Sequence, residues 1–204
     1  MLKMELRNNE LHIEGYVNAV DRESRTLRGS KGSFNEIVVA GAWQNALSNA
    51  KNVDLLFNHM ENRNLGSIEA GNLELFEDNI GLRAKAIIND SEVIQKAKNN
   101  QLKGWSFKFS VNPNGDEWRT LEDKQVRYLK DFKLYEVSIL DITPAYIGTS
   151  IESRDNESDV IELRAITEEF KLNIEEKEPE KANFYHGNKK KKIDLERLRF
   201  NYIN

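Results

Sequence analysis

The chain predicts an α+β fold that is mainly β: a small closed or partly open β-barrel with surrounding helices, followed by a charged, partly helical C-terminal tail. Three observations lead there. Short runs of alternating apolar and polar residues recur from Leu11 to Leu140, separated by turn-forming Asn, Asp, Gly and Pro. Only two helix signals interrupt them. From Glu152 onward charge dominates, as in Glu152-Ser153-Arg154-Asp155-Asn156-Glu157 and the run Lys189 to Lys192, and most of that segment cannot bury enough apolar surface to offset chain entropy. The reading is a folded core over residues 1–151 and a tail over residues 152–204.

The elements follow in order. His12 to Val20 alternates after Leu11 and reads as a strand. Residues 42–50 follow Gly41 as a short helix. Val53-Asp54-Leu55-Leu56-Phe57 is a compact apolar strand ending near His59. Residues 72–76 and 81–88 read as paired strands joined by Glu77-Asp78-Asn79. Ser91 reads as the N-cap of a second helix, with Val93, Ile94 and Ala97 on one side and Asn99-Asn100 at its end. Residues 105–111 form a strand stopped by Asn112-Pro113-Asn114-Gly115. Residues 127–140 form one long strand, or two with a bend, before Pro144. In the tail, Val160, Ile161, Leu163, Ile166 and Phe170 have helical spacing, as do Ile193, Leu195, Leu198 and Tyr202.

Composition removes several classes of function. Among 204 residues there is no cysteine, so disulfides, thiolate metal sites and cysteine nucleophiles are excluded. His12, His59 and His186 lie far apart, which argues against a three-histidine metal centre. With 30 basic and 34 acidic residues the net charge is -4, which does not suit a dedicated nucleic-acid binder. No apolar run is long enough to span a bilayer, and the N-terminus lacks the apolar core of a signal peptide. A soluble intracellular protein is expected.

Four features carry chemistry. His59 stands at a strand end, where an imidazole can face a cleft and act as general base; a loop histidine is the plain alternative. Ser106 lies in Gly104-Trp105-Ser106-Phe107-Lys108-Phe109-Ser110, where alternation puts Ser106, Lys108 and Ser110 on one face and the aromatics on the other. A serine on a strand is a nucleophile if a base lies within reach, and otherwise a solvent-facing residue of an amphipathic strand. Glu136 sits among Leu134, Val137, Ile139 and Leu140, where a buried carboxylate needs a partner such as a protonated histidine. Asp141 is the rival carboxylate, but alternation places it on the opposite face. The Lys189 to Lys192 run is a solvated patch or a contact for acidic partners. Ser106, His59 and Glu136 together are the inventory for acyl transfer.

Several ordered segments carry a resemblance. They are Gly15-Tyr16-Val17-Asn18-Ala19-Val20-Asp21; Ile37-Val38-Val39-Ala40-Gly41-Ala42-Trp43; Leu55-Leu56-Phe57-Asn58-His59 with Leu65-Gly66; Gly104-Trp105-Ser106-Phe107-Lys108-Phe109; and Glu136-Val137-Ser138-Ile139-Leu140-Asp141-Ile142-Thr143-Pro144-Ala145. In order and spacing, over residues 11–154, they resemble the tailed-bacteriophage prohead proteases of the HK97 type. The resemblance implies a capsid-maturation serine endopeptidase similar in fold to the herpesvirus assembly proteases, with Ser106 as nucleophile, His59 as base and Glu136 as acidic partner. It implies no metal or organic cofactor. The partners it implies are the major capsid protein with its scaffolding region and the protease itself, with room for a homo-oligomer and none for a membrane. Nucleic acid is not an expected partner. The implied location is the host cytoplasm, inside the assembling procapsid, and the tail would be a targeting or self-cleaved segment. Met60, Trp105 and Lys108 depart from the family's usual residues at those positions, changes that bear on substrate preference or oxyanion stabilisation. The rival to an enzyme is a non-enzymatic capsid-assembly or scaffold-binding protein.

Overall fold

The computed structural model describes residues 3–29, 32–121, 123–141, 161–166 and 174–176. The strands are β1 (Lys3–Arg7), β2 (Glu10–Ala19), β3 (Leu27–Gly29), β4 (Gly32–Val38), β5 (Asp54–Phe57), β6 (Met60–Ser67), β7 (Leu73–Glu77), β8 (Gly81–Ile88), β9 (Gly104–Val111), β10 (Asp116–Leu121), β11 (Lys124–Leu129), β12 (Phe132–Leu140), β13 (Ile161–Ile166) and β14 (Ile174–Glu176). The helices are α1 (Ala42–Asn49) and α2 (Ser91–Lys98).

Three sheets form, ordered β14-β1-β2-β8-β7, β10-β11-β4-β3 and β13-β9-β12-β5-β6. The mainly β expectation holds, but the expected barrel does not form among the described residues: no ladder joins the ends of any order. The ends explain it. β6 and β10 carry charge and are largely exposed, and β3 is three residues long, all features that end a sheet rather than continue it. The sheets instead meet over one apolar core. Trp43 of α1 packs edge-on against Phe107 and Phe132, with ring centroids 4.8 Å apart in both pairs, the favoured geometry for aromatic quadrupoles.

Both helices are capped by carboxylates, which offset the unpaired N–H groups and positive end of the first turn. In α1 the cap is borrowed: Gly41 has no side chain, and Glu77 of β7 accepts from Gly41 N–H and Gln44 N–H at 2.7 Å each. In α2 the N-cap is Asp90, not Ser91; its Oδ1 accepts from Val93 N–H at 2.9 Å. Of the two readings for residues 127–140, one strand or two with a bend, the second holds: β11 and β12 are separated by Lys130-Asp131.

Two corrections matter for the site. The helical island expected around Val160 to Phe170 contains a strand: β13 pairs antiparallel with β9, from Ile161↔Ser110 to Ile166↔Trp105. The second island, around Ile193 to Tyr202, and the lysine run lie outside the described residues. β12 also holds a bulge. Its register against β9 shifts between Leu134 and Glu136, so Leu134 faces Phe109 while Glu136 faces Lys108. Tyr135 is the extra residue, and the alternation inverts there. Phe132 and Leu134 point into the core before it, and Val137 and Ile139 after it. Glu136 and Ser138 are thereby turned to the face that carries Ser106.

Candidate active site

β9 presents Ser106 between β12 and β13, with Ser138 directly opposite it on β12. Its neighbours Trp105 and Phe107 enter the core, which fixes the strand's orientation. Ser106 is not solvent-facing: it is 1% exposed.

His59 arrives by a different route. β5 and β6 are joined by a two-residue turn whose central residues, Asn58 and His59, both have positive φ, 53° and 60°. Phe57 pairs with Met60 across it. Such turns match the twist of a hairpin, and the second position ordinarily favours glycine. Histidine there breaks the local rule, as residues at working sites often do. Bonds to β12 hold the turn. Asn58 N–H donates to Ile139 O at 3.0 Å and His59 N–H to Ser138 Oγ at 3.1 Å. Asn58 Nδ2 donates to Asp141 Oδ1 at 2.7 Å, and Asp141 N–H returns a bond to Asn58 Oδ1 at 3.1 Å.

The imidazole then bridges two strands. His59 Nε2 lies 2.7 Å from Ser106 Oγ, and Nδ1 lies 2.5 Å from Glu136 Oε1. Glu136 is 3% exposed, and Ser138 Oγ donates to its other oxygen, Oε2, at 2.6 Å. Each carboxylate oxygen therefore has a donor, which offsets the cost of burying the charge. Ser106, His59 and Glu136 are thus brought into one hydrogen-bonded row. Asp141 is not in it. Its carboxylate serves Asn58 and, at 2.7 Å, Lys96 of α2. Burial alone would raise the Asp141 pKa, but those hydrogen bonds and the Lys96 charge outweigh it and hold it below the ordinary value. Lys108, also on the Ser106 face, reaches Glu61 at 4.0 Å.

Ser106 has a second neighbour. Its Oγ lies 2.5 Å from the backbone oxygen of Arg164 in β13, so one hydroxyl proton faces two acceptors. Beside this contact is a buried ionic cluster between two sheets. Arg164 forks onto Glu36 of β4, Nε to Oε1 and Nη2 to Oε2 at 2.8 Å each. Arg127 of β11 forks onto Glu162 of β13, also at 2.8 Å twice.

Sequence reasoning named the three residues of the row. It missed Ser138, Asn58 and the cluster of Glu36, Arg127, Glu162 and Arg164. The signal for Ser138 was the inverted apolar alternation in Phe132, Leu134, Val137 and Ile139, which implies a bulge and places Ser138 beside Glu136. Among the described residues no group of His, Cys, Asp and Glu is set to hold a metal ion, and no helix is long and apolar enough to cross a membrane. A cavity of about 330 Å³ lined by Lys3, His12, Glu14, Glu74 and Lys85, among others, lies on the β1-β2-β8 sheet and shares no residue with the row.

A hydroxyl, an imidazole and a carboxylate linked in that order form the donor–acceptor set used by serine hydrolases. The family model described as caudovirus prohead serine protease matches residues 2–163, and the chain belongs to that family. The family is one of bacteriophage serine peptidases of capsid maturation. No curated protein and no solved structure matches the chain.

Proposed function

We propose that the chain is a serine endopeptidase of the HK97 type, related in fold to the herpesvirus assembly proteases, in which Ser106 is the nucleophile, His59 the general base and Glu136 the residue that orients it. It acts in the assembling procapsid of the host cell, on the scaffolding region of the major capsid protein and on itself. The observation that carries the reading is the two-bond row through His59. An ionised carboxylate only accepts, so Nδ1 carries the proton toward Glu136 and Nε2 is left as the acceptor facing Ser106. In attack, Ser106 Oγ bonds to a peptide carbonyl carbon while Nε2 takes its proton. The imidazolium gives that proton to the departing amine, and water then hydrolyses the ester with His59 again as base. Glu136 stabilises the imidazolium and keeps its own charge. Backbone amides supply the oxyanion donors.

The test is co-expression with the cognate capsid protein. Ser106→Ala is expected to leave the capsid protein full length, and normal processing by that variant would reject the assignment. Covalent capture of Ser106 by a fluorophosphonate separates the enzyme from a non-enzymatic assembly protein.

A further inference from the structure

While β13 is paired with β9, no other peptide can reach Ser106. Ser106 is 1% exposed, its Oγ is bonded to Arg164 O at 2.5 Å, and Ala165 stands opposite it in the ladder. The segment lying there is an extended strand whose backbone runs along the strand that bears the hydroxyl. Extended peptides commonly join a sheet edge in this way, with backbone bonds giving affinity and pockets for alternate side chains giving selectivity. The alternate side chains of β13 are Glu162 and Arg164. Each has a built receiver. Glu36, 5% exposed, takes the Arg164 guanidinium with both oxygens, and Arg127, 6% exposed, takes the Glu162 carboxylate with two nitrogens.

We propose that β13 occupies the substrate cleft. Glu36 and Arg127 are its specificity determinants, selecting a peptide with an acidic residue two positions before a basic one and placing the basic residue's carbonyl at Ser106. The inference rests on Ser106 being the nucleophile. Buried charges add little net stability compared with apolar packing, yet each is costly when left alone. Their value here is selection. A peptide lacking the basic residue leaves Glu36 short of its fork, and one lacking the acidic residue leaves Arg127 short of its own. A one-residue slip would turn both charges to the wrong face. The receivers remain tied together with β13 gone, because Arg127 also bonds Glu36 at 3.2 Å and Asp116 of β10 at 2.7 Å. That leaves two carboxylates to one guanidinium, a pocket that attracts the basic residue, and the acidic residue enters paired with it, as Glu162 is with Arg164.

The bond cut is the one after the basic residue. Ser106 Oγ bonds to that carbonyl carbon, the C–N bond breaks, and the serine proton passes through His59 to the leaving amine. Water then releases the acid and restores the hydroxyl. In the chain itself this is the bond between Arg164 and Ala165. Until it is cut or displaced, β13 keeps the site closed to other substrates.

The test uses the full-length chain carrying Arg164→Gln, which loosens β13, and three quenched fluorescent peptides. One has the sequence of residues 161–166, one has glutamine in place of its arginine, and one has glutamine in place of its glutamate. Cleavage of the first between arginine and alanine is expected, with kcat/KM lower by at least about 30-fold for each of the others. Adding Glu36→Gln should slow the parent peptide and close the gap between it and the arginine-replaced one. Fluorophosphonate labelling of Ser106 is read by mass spectrometry on the same preparation. Equal cleavage of all three peptides, or none of any, with Ser106 labelled would overturn the inference and leave the protease reading standing. Neither cleavage nor labelling, in this variant and again after Glu162→Gln is added to free β13 from both receivers, would remove the nucleophile and the inference together.

Discussion

At the scale of single residues, the proposed chemistry depends on which atom of His59 carries a proton. Glu136 Oε1 at 2.5 Å from Nδ1 sets that choice, so Glu136→Gln should be far more damaging than its size suggests. An amide NH₂ can donate to Nδ1 and force the proton onto Nε2, which then cannot accept from Ser106. The expected fall in kcat is on the order of 10⁴-fold, against a smaller loss for Asp141→Asn, whose carboxylate touches Asn58 and Lys96 rather than the imidazole. A larger loss at Asp141 would reverse the assignment of the acid. Ser138→Ala removes one donor to Glu136 and one acceptor for His59 N–H. It should lower kcat roughly tenfold with KM little changed, the scale at which partners of contact groups act. Steady-state kinetics on a capsid-derived peptide reads both. The three residues of the row were singled out by the order and spacing of the segments that carry the family resemblance, since the residue types alone supply only an inventory. Ser138 was not, because a small hydroxyl in a strand is ordinary until its neighbour is known to be a buried carboxylate.

At the scale of elements, the site is assembled by two departures from regular β structure. The bulge at Tyr135 turns Glu136 and Ser138 toward Ser106. The Asn58-His59 turn swings the imidazole over the same face. The strands themselves were readable from alternation, and the bulge showed only as a change of phase between Leu134 and Val137, which an apolar run tolerates without losing hydrophobicity. β13 was misread for a related reason. Ile161, Leu163 and Ile166 fit a helical stripe, and the inward residues of the actual strand, Glu162 and Arg164, are charged. Only Glu36 and Arg127, far away in the chain, make that face buriable. The turn can be tested by two substitutions. Asn58→Gly keeps the positive φ without strain but loses both bonds to Asp141, a cost of about 1–2 kcal/mol. Asn58→Ala loses the same bonds and also forces a Cβ into the left-handed region, so it should be roughly 1 kcal/mol worse than glycine. Denaturant unfolding measures the gap, and equal stabilities would mean the turn relaxes to another conformation.

At the scale of the whole molecule, the ionic cluster joins the β13-β9-β12 sheet to the β11-β4 sheet through side chains rather than through a continuous ladder, and this makes their union sensitive to acid. Burial alone would raise the Glu162 pKa, but hydrogen bonds from Arg127 and the charges of Arg164 and Arg127 outweigh it and hold the group below its ordinary 4.5. A carboxylate with a lower pKa in the folded state binds protons less readily than it does when unfolded. Its contribution is fully present above the ordinary value, and it is lost as pH falls through the depressed one. Asp141 and Asp78 are depressed as well and act in the same direction. The melting temperature should therefore hold near neutrality and drop as pH falls below 4.5. Glu162→Gln should melt lower than the parent near neutral pH, since it leaves Arg127 and Arg164 short of a counter-charge. Its acid slope should be shallower, because one of the titrating groups is gone, so the two melting curves should converge as the pH drops. Coincident curves would mean that β13 is held by its backbone ladder alone, and that the fork between Glu162 and Arg127 is not what fixes the strand over Ser106.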